Sequence, residues 1–122
     1  YGGSTKFEQF HPGIDVAKGM GTPERATVTG KVTQVVTGKK QGDPGFGNYV
    51  MVTDAQGNQH RYSHLSQAFV RAGQIIPKGY VYGTEGNTGQ TYSQSGGTGS
   101  HLDYRIKDIY GRYINPSKFL TG

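Results

Sequence analysis

Asn48-Tyr49-Val50-Met51-Val52-Thr53, Asp54-Ala55-Gln56-Gly57-Asn58 and Gln59-His60-Arg61-Tyr62-Ser63-His64-Leu65 follow one another without a break. The first run is β-branched and aromatic, the second is made of turn-formers, and the third alternates again. Together they predict an antiparallel β-hairpin, and with it an all-β fold.

Working outward, Thr27 to Val36 alternates and is rich in β-branched residues, so it reads as a strand with a glycine bend or bulge near Gly30. Gly38 to Gly47 reads as a polar loop, Gln67 to Ala72 as one short helical turn, Gly73 to Gly79 as a loop, and Tyr80 to Thr84 as a further strand. The Gly, Ser, Thr and Gln residues from Glu85 to Ser100 predict a surface loop. It feeds a last strand, His101-Leu102-Asp103-Tyr104-Arg105-Ile106. Residues two apart on a strand share a face, so His101, Asp103 and Arg105 point one way and Leu102, Tyr104 and Ile106 the other.

With 122 residues, 21 of them glycine and 9 tyrosine, the chain has the size of one domain covering 1–122. The abrupt start at Tyr1-Gly2-Gly3 suggests a piece cut from a longer protein. With no cysteine, disulfides and thiolate metal sites are excluded, and any metal must be held by His, Asp or Glu. No apolar run approaches the ~20 residues of a membrane helix. The net charge of +5 comes from scattered Lys and Arg, which gives no nucleic-acid signature. A solvated basic surface accounts for it, and anionic wall polymers such as teichoic acids are compatible with it.

Chemistry concentrates around the four histidines: His11 with Asp15, His60 with His64, and His101 with Asp103. Neutral imidazoles and carboxylates are what a hydrolytic zinc site uses, with further histidines moving protons. His11 and Asp15 lie four apart across a Pro-Gly turn able to fold both onto one centre. Alternation puts His60, Tyr62 and His64 on one face, with His60, nearer the turn, read as a surface residue and His64 as the catalytic choice.

In chain order, His11-Pro-Gly-Ile-Asp-Val-Ala17, Tyr62-Ser-His-Leu-Ser66, Gly86-Asn-Thr-Gly89 and Thr98-Gly-Ser-His-Leu-Asp103 resemble the lysostaphin and LytM-type peptidoglycan metalloendopeptidases. The likeness continues through Gly21-Thr22-Pro23, Gly45 to Val50 and Asn115-Pro116. It implies a single-domain antiparallel sheet with a groove, Zn²⁺ as cofactor, and hydrolysis of peptide bonds in cell-wall cross-links. The implied partners are peptidoglycan peptide stems and cross-bridges, met outside the cell or at its wall by a monomeric domain. By the same resemblance His11, Asp15 and Asp103 are the metal ligands, and His64 and His101 the catalytic pair. Asp103 stands where the family has a histidine, and a carboxylate is itself a competent zinc ligand. The competing expectation is a degenerate, silent module that binds peptidoglycan or a partner. Gln90 to Gly97 lengthens a loop that could wall the groove and bring Tyr92 to substrate. The family's oxyanion-stabilising tyrosine would be Tyr1, with Tyr62 as substitute. The unusual ligand suggests a phage-borne parent.

Overall fold

A computed structural model describes residues 13–89, 91 and 99–120. Among the described residues nine strands form one sheet: β1 (Gly13–Val16), β2 (Pro23–Arg25), β3 (Gly30–Val36), β4 (Asn48–Asp54), β5 (Gln59–Ala68), β6 (Ile75–Ile76), β7 (Val81–Glu85), β8 (Leu102–Lys107) and β9 (Tyr113–Ile114). All of their pairings are antiparallel. A 3₁₀ turn, Pro116–Phe119, follows, capped by the Asn115 side chain on the Ser117 amide. Among the described residues no helix is long and apolar enough to cross a membrane.

The predicted hairpin is β4-β5, and Asp54 builds its turn by accepting hydrogen bonds from the Gln56 and Asn58 amides, both at 3.0 Å. The return strand runs on to Ala68, which removes the helical turn expected from Gln67 to Ala72. Phe69 stays extended and donates to the Tyr82 carbonyl, because burial of Val70 continues the strand pattern past the end of β5. The bulge in β3 falls between Val32 and Gln34 rather than at Gly30. Gly30 is instead where the Thr53 carbonyl comes so close that a Cβ would collide with it.

β5 is the hub. Leu65 pairs with Asn48 of β4 on one side and Glu85 of β7 on the other, while Gln59 to Ser63 pair with β8. The edge opposite β4 therefore passes from β8 to β7 beyond Ser63, and the sheet forks beside His64. Beneath it Val32, Val50, Val52, Leu65, Ile76, Leu102 and Ile106 form the core. The rings of Tyr82, Tyr62 and Tyr104 stack through it, at 4.4 and 5.0 Å between centroids.

His60 is fully buried in this core, at 0% exposure, not on the surface. Alternation did put it on one face with Tyr62, but that face is the interior. Its Nε2 lies 2.8 Å from Asp54 Oδ2 and its Nδ1 2.7 Å from the Tyr104 hydroxyl. Thr27 Oγ1 links the Tyr104 and Tyr62 hydroxyls at 2.7 Å each. Burial, partly offset by these bonds, pushes the Tyr62 hydroxyl up to about 12, and Tyr104 is raised too. Burial also lowers His60, against the pull of Asp54. A neutral His60 that donates to Asp54 and accepts from Tyr104 satisfies every one of these groups. Tyr62 is thus bonded inside the core and is no substitute oxyanion donor.

Candidate active site and metal centre

Ile14 and Val16 pack on the core, so the intervening Asp15 faces outward, where it is exposed. Gly13 to Val16 is accordingly a strand rather than part of a Pro-Gly turn. β1 pairs with β8 so that Asp15 stands directly opposite Asp103, and Gly13 opposite Arg105. Two carboxylates facing one another across a strand pair repel unless a cation joins them.

Leu102, Tyr104 and Ile106 enter the core as the alternation predicts, which turns Asp103 and Arg105 to the outer face. Asp103 is nonetheless only 5% exposed. Arg105 Nε lies 3.1 Å from both of its oxygens, and a terminal guanidinium nitrogen is 3.0 Å from Oδ2. Gly13 makes room for this clamp: a Cβ there would stand 2.5 Å from Arg105 Cγ, 2.8 Å from the Tyr104 carbonyl and 2.9 Å from Asp103 Oδ1. Gly13→Ala is expected to push β1 off β8 and cost about 1–3 kcal/mol. Urea denaturation reads this directly, and a variant as stable as the parent would contradict it.

His64 reaches the same face by a local departure from the strand. Between Asn48↔Leu65 and Val50↔Tyr62 the chain of β5 carries one more residue than β4, the signature of a bulge. At that bulge His64 has φ +64°, the sole non-glycine positive φ among the described residues. Left-handed backbone at a histidine stores about 1–3 kcal/mol of strain and commonly marks a functional position. Without the bulge, alternation would send His64 into the core behind Tyr62. With it, the imidazole lies 4.7 Å from His101, ring to ring, and its Nε2 is 4.0 Å from Asp103 Oδ2.

Both histidines are oriented by carbonyl oxygens. His64 Nδ1 is 2.7 Å from the Thr88 carbonyl, and His101 Nδ1 is 3.1 Å from the Gly99 carbonyl. A carbonyl only accepts, so each Nδ1 carries the proton and each neutral ring keeps its lone pair on Nε2. Burial lowers the His64 pKa below its ordinary 6.5; the Thr88 bond opposes this, the neighbouring His101 adds to it, and Asp103 and Asp15 pull the other way. Burial thus favours the neutral imidazole of His64.

The sequence did not single out several residues that build this site. Thr88 holds the corner: its hydroxyl donates to the Leu65 carbonyl and accepts from the Asn48 amide. Gly47 and Gly89 pack backbone to backbone beside it, where a Cβ on either would collide. The start of the Glu85–Ser100 loop is thus buried rather than solvated, because its small residues allow that approach. Glu85, fully buried, accepts from the Lys18 and Gly19 amides and the Ser100 hydroxyl, tying the segment after β1 to the approach to His101. A lone acid inside Tyr82-Gly-Thr-Glu-Gly86 was the available signal. His11, Tyr1 and Tyr92 lie outside the described residues. Among the described residues no three His, Asp or Glu side chains gather as a complete metal site.

The model of peptidase family M23 matches residues 9–116, and the chain belongs to that family. The DD-carboxypeptidase/endopeptidase Mpg of Neisseria meningitidis is 40% identical over 108 residues, which are 88% of this chain and 22% of that protein. The chain thus spans about a fifth of that relative's length. Among solved structures, the catalytic domain of the antimicrobial peptidase lysostaphin from Staphylococcus simulans aligns with a TM-score of 0.72 at 27% identity, covering 92% of this chain and 80% of that one. A zinc-containing peptidase from Vibrio cholerae aligns with a TM-score of 0.68 at 29% identity, over 85% of this chain and 28% of the other. The antiparallel sheet expected from the sequence is the fold of these neighbours.

Proposed function

We propose that this domain hydrolyses peptide bonds in bacterial peptidoglycan cross-links, acting at the cell wall, with a zinc ion held by His11, Asp15 and Asp103. The observation that carries the reading is the pair of opposed carboxylates, Asp15 and Asp103, beside two imidazoles whose free Nε2 atoms are fixed by carbonyl bonds. The donor set suits zinc, which accepts imidazole nitrogen and carboxylate oxygen. Arg105 does not use up Asp103, since an ionised carboxylate offers about four lone-pair sites. It acts as the outer partner that holds a ligand's orientation.

Bound there, zinc would supply Lewis acidity toward the scissile carbonyl and toward water. His64 Nε2, unprotonated near neutral pH, accepts the proton that the attacking water gives up. His64 then returns that proton to the nitrogen that leaves as the amide breaks, and His101, once protonated on Nε2, donates a hydrogen bond to the oxygen that gains charge. The Thr88 and Gly99 carbonyls hold each Nδ1–H, which leaves each Nε2 for proton exchange.

An aspartate in place of the family's histidine puts two anionic ligands on the ion, which weakens its pull on water. The domain is therefore expected to have a higher pH optimum for cross-link cleavage than its Asp103→His variant. Equal optima, or a higher one in the variant, would count against Asp103 as a ligand.

A further inference from the structure

The outer face that carries Asp103 continues along β8 into a basic pocket whose Arg61 and Lys107 the proposed mechanism does not use. Met51, Gln59, Arg61, Arg105, Lys107 and Tyr113 line a cavity of about 60 Å³, room enough for a compact polar group. Arg61 and Arg105 are direct partners across β5 and β8, as are Gln59 and Lys107. Lys107 in turn pairs with Tyr113 of β9, its ammonium 5.0 Å from the ring centre.

Like charges directly opposite on paired strands destabilise a sheet. Here only part of that repulsion is compensated. Phe46 receives both guanidinium groups, Arg61 at 3.9 Å and Arg105 at 4.9 Å from its centroid, and Asp103 neutralises Arg105. Among the described residues no carboxylate pairs with Arg61 or Lys107, and Arg61 Nε is buried without a hydrogen-bond partner. The surplus charge also reaches Tyr113. Burial alone would raise that hydroxyl, but the Arg105 bond and the charges of Lys107, Arg61 and Arg105 bring it below its ordinary value.

We propose that this pocket is a carboxylate-binding subsite of the groove, in which Arg61 and Lys107 seat a free carboxylate of the peptide being cut. Arg105 joins the pocket to the centre: it is two residues from Asp103, about 7 Å along the strand. A carboxylate between Arg61 and Lys107 therefore lies about 7–13 Å along the strand from Asp103, about two to four peptide units from the bond facing His64 and His101. The inference rests on the proposed function for the identity of the peptide, but not for the binding of the anion. A planar carboxylate matches the guanidinium fork of Arg61, which favours it over the tetrahedral phosphodiester of a wall polymer.

The test is a backbone-amide NMR titration of the whole domain with D-alanyl-D-alanine and, separately, with its C-terminal amide. The acid is expected to shift resonances of Gln59 to Arg61, Arg105 to Lys107 and Tyr113, and to bind at least tenfold more tightly than the amide. In an Arg61→Gln/Lys107→Gln variant, shown folded by its own spectrum and unchanged in zinc content, that preference should vanish. Equal binding of acid and amide, or a preference that survives the double substitution, would overturn the proposal. So would a glycerol-phosphate polymer moving the same resonances while the dipeptide moves none. Because the titration reads binding without cleavage, acid-selective binding in a domain that cuts nothing would leave the subsite standing and remove the peptidase reading. Cleavage indifferent to the carboxylate would do the reverse.

Discussion

His64→Ala is expected to lower kcat for cross-link cleavage by about 10²–10⁴-fold while leaving bound zinc unchanged. The metal should stay because His64 is not among the three proposed ligands. Activity should fall because Nε2 is the one nitrogen that the Thr88 bond leaves free to take a proton. The same orientation predicts a pH profile. With its pKa below 6.5, His64 is unprotonated at neutrality, so the acid limb of kcat/KM should lie below pH 6.5 and disappear in the variant. Stability is expected to move the other way: His64→Gly relieves a left-handed histidine and should be no less stable than the alanine variant. Metal analysis, stopped-assay kinetics and urea denaturation of the two variants separate these effects. A His64→Ala enzyme of parental kcat would remove His64 from the chemistry.

Asp54→Ala is expected to cost about 3 kcal/mol of folding stability without touching the catalytic groups. One carboxylate there closes the β4-β5 turn through the Gln56 and Asn58 amides and also receives Nε2–H of the buried His60. Removing it strands several donors at once inside a tight turn. The pH dependence of stability follows from the same contact. Burial lowers His60, so its contribution is present above 6.5 and lost as pH falls through its folded-state value. Burial would raise Asp54, but the His60 and Asn58 bonds outweigh that and lower it, so its contribution is present above 3.8 and lost on further acidification. Both groups therefore make the domain less stable in acid; Asp54→Ala also removes the pull that raises His60, so it should deepen the loss of stability between pH 6.5 and 4. Denaturation midpoints between pH 4 and 8 would measure this; an unchanged slope would contradict the assignment.

The hairpin was legible because β4 buries every second residue, β5 does so from Gln59 to Tyr62, and the turn between them is local. Asp103 and Arg105 were legible for the same reason, since Leu102, Tyr104 and Ile106 leave no doubt about which face is apolar. His64 lies on the outer face beside His101 and Asp103, although alternation by itself would have buried it. The bulge that redirects it depends on where β7 and β8 divide the edge of β5, a long-range property that no local run of residues encodes. His60 failed for the complementary reason: its polarity suggested water, whereas Asp54, Tyr104 and Thr27 supply every bond it needs in the interior. The short strands β1, β2, β6 and β9 carry two to four residues each, too few for periodicity to register. Thr88 acts through its backbone carbonyl and Glu85 through amides more than sixty residues away in sequence, so neither the Gly86-Asn-Thr-Gly89 motif nor the lone acid beside it discloses these roles.

The most direct measurement is zinc content by mass spectrometry for the parent domain and Asp103→Ala, paired with release of new amines from purified peptidoglycan. A parent that carries about one zinc and cuts the wall, and that loses both with Asp103→Ala, is the predicted result. A parent that holds no metal and releases nothing would contradict the assignment and leave a silent binding domain in its place.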